Sequence, residues 1–455
     1  MIAWATVKGR SRLADRVRTA FWAIPAVAMA LGVAAGILLP QIDEALKQTT
    51  FSVLGFGGNA EGARGMLSTI AGATVSVAGL AFSVTVVALT LASSQLSPRV
   101  LRTFRERRLY QVTLAVFLGT FVYALLVLRT VRADPVFVPE VSIGLAIVLA
   151  VAAFGLFVAF IGDLVVSVQA STVIRRIASD SHGAIGERFP DGVGEEPGEG
   201  AGVSAWERAR QRSASAAARV YAPRAGFVVR VDGMRILTSA CRADALVRQR
   251  AGVGDFVLTG GVLAEVHAAD ATRREELAGE LADAFGLAEE RTVEQDIAFS
   301  VRQLADVALK GLSPSINDPT TAENAMGSLA DMLVRIVRAP QPSSLRLDTT
   351  GEPRLVTLVP DVDDLVHLGF DQVRRNALDD ATVAVRLLEL LAEIESATHA
   401  EGHSCEETAR QAAYIRSGAR SASQKGDAER VCQSYERLFG GAAVTGATDG
   451  QPASA

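Results

Sequence analysis

The sequence is short of charged residues, aromatic residues and cysteines. Of its 455 residues, 21% are charged, 6% are aromatic and three are cysteines. Three widely spaced cysteines exclude a small disulfide-stabilised scaffold and are typical of reduced thiols in the cytosol. A hydrophobic content of 49% also excludes a disordered chain.

The sequence also lacks the short motifs that would indicate an enzyme. It contains no P-loop, no dinucleotide-binding glycine motif, no nucleophile-elbow serine and no Cys-x-x-Cys pair. Only four lysines occur, and none lies in residues 225–267, which excludes a lysine-linked carrier domain. We therefore predict no enzyme activity, no cofactor, no metal site and no nucleic-acid partner.

Charge is missing altogether from four stretches near the N-terminus, each long enough to cross a bilayer. They are residues 19–42, 65–98, 109–128 and 141–162. We predict an α-helical integral membrane domain over residues 1–176. Its four transmembrane helices are expected at about 20–41, 68–96, 110–129 and 141–162. The first is expected to be retained, because its apolar run is too long for a secretory signal and three further spans follow.

The two parts of the chain differ in charge. Residues 1–175 carry fifteen Lys and Arg against eight Asp and Glu, whereas the remainder carries thirty against forty-two. Twelve basic residues lie before the first span, between the second and third, or after the fourth, and only four lie on the other side. Basic residues remain on the cytoplasmic side, so both termini are predicted to be cytoplasmic.

The second predicted span carries a repeat of small and hydroxyl-bearing residues. These residues form one face of the helix and include a hydroxyl every seven positions. They are Thr69, Gly72, Ser76, Gly79, Ser83, Thr90, Ser93 and Ser97. Small residues allow helices to approach closely in lipid, whereas a row of hydroxyls could instead line a conduction path. These two interpretations stay open beside a third, a chance pattern in a chain rich in Ala, Gly and Ser. We expect a homo-oligomer within the lipid bilayer.

After a flexible acidic linker over residues 183–204, we predict a cytosolic α+β domain over residues 205–439. A small β-barrel or sandwich section is expected over 225–267, and a mainly helical section over 272–438. Within the helical section, residues 345–359 are expected to form a hairpin around a Gly-containing turn. The Gly-rich tail, 440–455, is expected to be disordered.

One helix is predicted from Ile297 to Gly311, with Arg302 and Asp306 spaced to pair. A polar loop follows, and Asp318 before Pro319 suits the start of the next helix. Helix N-termini can bind anions. The candidate residues for a small anionic ligand are Asp296, Lys310, Ser313, Ser315, Asn317 and Asp318. The alternative is a structural turn in which Asn and Asp satisfy local backbone groups.

Three segments resemble one family. They are FSVTVVALTLASSQLSPRVLRTF, GDFVLTGGVLAEV and RTVEQDIAFSVRQLADVALKGLSPSINDPTTA. The chain thereby resembles a family of predicted bacterial multi-pass membrane proteins defined by a domain of unknown function. The resemblance implies four spans, a cytosolic domain and a location in the bacterial inner membrane, and it brings no activity.

Two functions remain open at this point. The first is an oligomeric channel- or transporter-like protein with a cytosolic regulatory domain. The second is a membrane-anchored signalling or scaffolding protein whose cytosolic domain binds a ligand or partner.

Overall fold

The computed structural model describes most of the chain in two compact units. The described residues are 23–46, 58–95, 108–134, 136–167, 169–188, 192–198, 202–419 and 425–440. The first unit, Met1–Thr172, is called the membrane unit below, and Val173–Ala455 is called the second unit.

The membrane unit contains four helices that are long and apolar enough to cross a bilayer. In chain order they are α1 Ala23–Leu46, α2 Ala60–Gln95, α3 Arg108–Thr130 and α4 Glu140–Ser167. This confirms the four predicted helices. The second begins earlier than the predicted residue 68, because Asn59 caps its first turn by accepting a hydrogen bond from the Gly62 N–H (2.8 Å). A short hairpin, β1 Arg132–Ala133 and β2 Val136–Phe137, joins α3 to α4.

Glycines bring α1 and α3 into backbone contact. A Cβ atom added to Gly32 would lie 2.6 Å from the backbone oxygen of Gly119, and one added to Gly119 would lie 3.1 Å from that of Ala28. A Cβ on Gly36 would lie 2.7 Å from the Cβ of Leu126. Close approach of this kind is how helices gain packing energy in lipid.

A carboxylate ties α1 to the start of α4. Asp43 of α1 is buried and accepts hydrogen bonds from the Val141 N–H (3.1 Å), the Ser142 N–H (3.0 Å) and the Ser142 hydroxyl (2.5 Å). Tyr123 of α3 donates to the Ser142 carbonyl (2.9 Å). Two of the orphan N–H groups at the N-terminus of α4 are thus satisfied by another helix.

The second unit contains strands in two sheets. The strands are β3 Ala217–Tyr221, β4 Gly226–Val231, β5 Leu246–Gln249, β6 Phe256–Val257, β7 Val262–His267, β8 Phe285–Ala288, β9 Leu345–Leu347 and β10 Pro353–Val356. One sheet has the order β3-β7-β5-β10-β9, with β5 and β10 parallel and the other pairs antiparallel. The other has the antiparallel order β6-β4-β8. The α+β class is confirmed, and the described strands form open sheets rather than a closed barrel.

The second unit also contains helices. In chain order they are α5 Ala170–Arg188, which crosses the unit boundary, then α6 Gly202–Ser213, α7 Gly233–Arg242, α8 Ala271–Leu281, α9 Ile297–Gly311, α10 Pro319–Arg338, α11 Val362–Ala377, α12 Ala381–Ala400, α13 Glu406–Ala419 and α14 Lys425–Phe439. A short 3-10 turn, Ala282–Ala284, links α8 to β8. The first three helices after α5 pack against the strands, and the later ones pack mainly against one another.

The predicted section boundaries need correction. The β-section extends on both sides of residues 225–267, and α7 interrupts it where Asp232 caps the helix by accepting from the Arg235 N–H. Strand β8 lies inside the part predicted to be mainly helical, whereas β9 and β10 form the hairpin predicted over residues 345–359. Short apolar runs do not distinguish strand from helix, which explains both errors.

The expected linker, 183–204, is partly ordered. Helix α5 continues to Arg188, and the next described segment, 192–198, lies against β9. We call residues 192–198 the strap. The Glu195 N–H donates to the Leu347 carbonyl (3.0 Å), and the Leu347 N–H donates back to the Glu195 carbonyl (2.8 Å). Residues 441–455 of the tail lie outside the described residues.

Candidate functional site

The small-residue repeat of α2 faces away from the other described helices. Its opposite face is buried and includes Ala63, Leu67 and Ala71. The repeat positions Thr69, Gly72, Ser76, Gly79, Ser83 and Thr90 are all exposed. The side chain of Ser93 and the whole of Ser97 lie outside the described residues.

This exposed face is sterically open, and the hydroxyls of Thr69, Ser76 and Thr90 bond to their own helix. A Cβ atom added to Gly72 or Gly79 would meet nothing within 4 Å. The hydroxyl of Ser76 donates to the Gly72 carbonyl (2.8 Å), and that of Thr69 donates to the Gly65 carbonyl (2.8 Å). The face therefore offers close approach for another surface, and each hydroxyl oxygen can still accept a hydrogen bond.

The candidate anion loop is closed by its own groups. Asp318 caps α10, accepting hydrogen bonds from the Thr321 N–H (3.0 Å) and hydroxyl (2.6 Å), and these bonds lower the pKa of Asp318. The Ser313 hydroxyl donates to the Lys310 carbonyl (2.8 Å) and lies 3.3 Å from that of Ser315. Asn317 adopts a left-handed conformation (φ 49°), which asparagine tolerates. The geometry is that of the structural turn.

Asp296 does not belong to this loop. It caps the opposite end of α9, and that helix of fifteen residues is roughly 22 Å long. Its buried carboxylate binds Arg291 through two hydrogen bonds (2.7 and 2.8 Å). A Cβ on Gly254 (φ 97°) would lie 2.6 Å from Nη2 of Arg291 and 2.8 Å from Oδ2 of Asp296. Asp296 and Arg291 therefore pack against the β5–β6 connection.

A cavity of about 150 Å³ lies in the second unit beside a buried guanidinium. Its polar and charged lining consists of Gln249, Glu294, Gln295, Arg346 and Thr357. The Arg346 side chain is 2% exposed, and its Nη1 lies 2.6 Å from the carboxylate of Glu196 in the strap, which is 40% exposed. A buried charge of this kind requires a hydrogen-bonded partner of opposite sign.

The turn between β9 and β10 holds a second ionic cluster. Asp348 accepts hydrogen bonds from the N–H groups of Thr350 (2.9 Å) and Glu352 (3.0 Å) and from Nε of Arg354 (2.6 Å). Burial alone would raise the pKa of Asp348, but bonds from the Thr350 hydroxyl and from Arg354 outweigh it and hold the pKa well below its usual range. Arg354 also binds Asp244. The cluster secures the hairpin to the end of α7.

A third polar cluster joins α11 to α13. Glu407 is fully buried and accepts from Gln411 Nε2 (2.7 Å), and it also binds His367 (2.8 Å) and Arg410. Burial raises the pKa of the neighbouring Cys405 thiol to about 12. No group of three His, Cys, Asp or Glu side chains in the described part of the chain is placed to hold a metal ion.

Sequence reasoning missed Arg346 and Glu196. Arg346 lies between two leucines of β9, a pattern that indicates a side chain directed toward water. Glu196 lies in a segment with too little apolar content to predict packing. The strap covers the face on which Arg346 lies, and only that contact reveals the pair.

Four apolar helices followed by an α+β unit define a multi-pass membrane protein. The model of the family described as "Predicted membrane protein (DUF2254)" matches residues 18–393, and the chain belongs to this family.

Relatives of the chain occur in mycobacteria. It is 30% identical over 408 residues to the uncharacterized protein Mb1321c of Mycobacterium bovis, a match that covers 86% of this chain and 75% of the relative. The same values hold for the uncharacterized protein Rv1290c of Mycobacterium tuberculosis. No solved structure matches the chain.

Proposed function

We propose that this membrane protein is an oligomeric channel- or transporter-like protein in which the small-residue face of α2 meets α2 of neighbouring copies. The observation that carries the proposal is the open space around Gly72 and Gly79. Glycine in a membrane helix gains nothing from facing lipid, whereas it permits close contact with a second helix. The seven-residue spacing of hydroxyls would keep one face in register along a left-handed pair of helices.

Cysteine cross-linking in membranes tests this contact. After replacement of the native Cys241, Cys405 and Cys432, single cysteines are placed at Ser76 and Ser83 of the small-residue face. Val75 and Phe82, which are exposed one position away, serve as matched controls. We expect Ser76→Cys and Ser83→Cys to form cross-linked dimers far more efficiently than Val75→Cys and Phe82→Cys. Equal cross-linking at all four positions would reject the contact and favour the membrane-anchored signalling alternative.

Water access distinguishes a conduction path from a purely structural contact. The same four variants are treated with a charged, membrane-impermeant thiol reagent. Reaction at Ser76→Cys and Ser83→Cys, but not at the two controls, would support a hydroxyl-lined path. A lack of reaction at both positions in every condition would reject conduction along this face. Ion flux into liposomes containing the purified protein then measures the activity itself.

We further propose that the protein lies in the bacterial inner membrane with both termini, and the second unit as a regulatory domain, in the cytoplasm. The distribution of basic residues around the four helices supports this orientation. A variant that keeps only Cys432 is treated with a large maleimide on spheroplasts. Labelling only after the membrane is permeabilised is expected, and labelling of intact spheroplasts would reverse the orientation.

A further inference from the structure

The pairing of Arg346 with the strap points to a ligand site. We infer that Arg346 and the adjoining cavity form a binding site for a small carboxylate. In the absence of this ligand, the carboxylate of Glu196 occupies the position beside Arg346. The inference concerns the second unit alone and is independent of the proposed function.

A short contact between the strap and β9 places Glu196 beside Arg346. Glu195 pairs with Leu347 through two backbone hydrogen bonds, which places the next residue over the face of β9 that carries Arg346. Gly194 makes this approach possible, because a Cβ there would lie 2.8 Å from the Leu347 carbonyl oxygen and its φ is 67°. Val193 packs against the hydrophobic core of the unit and also lines the cavity.

The chemistry of the site favours a carboxylate. A guanidinium offers a planar set of donors that matches a carboxylate, and such charge-assisted bonds are stronger than neutral ones. Arg346 is almost wholly buried, so exchange of one carboxylate for another keeps its charge compensated.

The cavity beside the guanidinium limits the size of the ligand. At about 150 Å³ it leaves room for a small ligand body between Gln249, Gln295 and Thr357 and the apolar wall at Val231 and Leu355. A ligand that bound the Arg346 guanidinium would displace the Glu196 carboxylate. It would thereby release the strap, the segment that follows α5 in the chain.

Fluorescence of Trp206 supplies the measurement. This residue lies on α6, whose Ala205 and Ala209 pack against Leu345 and Leu347 of β9. With Trp4 and Trp22 changed to Phe in the full chain, thermal unfolding reported by Trp206 follows the second unit. The test compares Glu196→Gln with its neighbour Glu195→Gln, whose backbone makes the bridge but whose side chain is exposed.

We expect Glu196→Gln to lower the Tm by about 3–6 °C relative to Glu195→Gln, because Arg346 loses one charged partner. Sodium formate or acetate, compared with sodium chloride at equal ionic strength, should raise the Tm of Glu196→Gln by about 3 °C at tenfold excess over Kd. Glu195→Gln should show no such rise, because its tethered Glu196 fills the position.

Two results would overturn the inference. One is an equal Tm of the two variants, which would mean that the ion pair between Glu196 and Arg346 does not stabilise the unit. The other is an equal response of both variants to formate, which would indicate surface binding. If Glu196→Gln does not fold, Glu196→Asp keeps the charge but withdraws the carboxylate by one methylene. Its formate response must then exceed that of Glu195→Asp, and equal responses would reject the site.

Discussion

Two sets of glycines in the membrane unit serve opposite purposes. Gly32, Gly36 and Gly119 lie at the contact between α1 and α3, where an added Cβ would come within 2.6–3.1 Å of the facing helix. Gly72 and Gly79 lie on the outer face of α2, where an added Cβ would meet nothing within 4 Å. The first set allows two helices of the chain to pack closely, whereas the second leaves a surface on α2 that no described residue covers. Their residue type alone does not distinguish the two roles.

The largest loss of stability is expected at the contact between α1 and α3. Gly32→Leu places a side chain where the backbone of Gly119 lies, and the two helices must separate to accommodate it. We expect a loss of about 3 kcal/mol or more in the free energy of unfolding, or no folded protein at all. The yield of monodisperse protein and its thermal transition provide the measurement. A variant as stable as the wild type would mean that α1 and α3 do not touch in this way.

The polar link between α1 and α4 is expected to be nearly as sensitive. Asp43→Ala removes the acceptor for two backbone N–H groups and one hydroxyl at the start of α4. We expect a loss of about 1–3 kcal/mol, the usual range for a lost cap and for buried donors left unsatisfied. Thermal unfolding of the purified protein measures it. Asp43→Asn, which keeps one carbonyl oxygen, should recover part of the stability, and equal losses in both variants would argue against the cap.

Acid titration tests the ionic cluster around Asp348, which lies in the second unit and not in the membrane unit that contains both glycine sets. The folded-state pKa of Asp348 is depressed, so its stabilising contribution is present above the unfolded pKa of about 3.9 and is lost as the pH falls through the folded value. At pH 7 we expect Asp348→Asn to be about 1–3 kcal/mol less stable than the wild type. This difference should shrink between pH 5 and pH 2. Trp206 fluorescence follows it, and a difference independent of pH would contradict the assignment.

The smallest effect on stability is expected on the open face of α2. Gly79→Leu and Ser76→Ala should change the free energy of unfolding by less than about 0.5 kcal/mol, because neither position contacts the rest of the unit. Gly79→Leu should nevertheless abolish cross-linking through Ser83→Cys if α2 packs against a second copy. Loss of stability equal to that of Gly32→Leu would show that the two glycine sets are not different after all. Unchanged cross-linking would remove α2 from the oligomer contact.

Local sequence patterns predicted several elements of the second unit. Helix α9 spans Ile297–Gly311 as its apolar spacing indicated, and Asp318 and Pro319 start α10 as the N-cap and first residue. Arg302 and Asp306, four residues apart, form an ion pair at 3.0 Å. Each of these depends on neighbours along the chain, where helical geometry fixes the distances.

Contacts between distant segments were not predictable in this way. The sequence predicts Asp296 to lie with the loop that follows α9, yet it caps the other end of that helix and packs against Gly254 in the β5–β6 connection. The acidic segment at 192–198 was expected to be flexible, yet it pairs with a strand about 150 residues later. Neither contact has a signature in local composition, because the partner comes from elsewhere in the chain.

The sequence by itself determined the four membrane helices, their order and the regular small-residue face of α2, since length, apolarity and periodicity are local properties. Only the tertiary structure decided which glycines are closed against a neighbour and which are open. It also decided that Arg346 is buried under Glu196 rather than directed into water. The physical reason is the same in each case: burial depends on which surface covers a residue, and that surface is assembled from segments far apart in the chain.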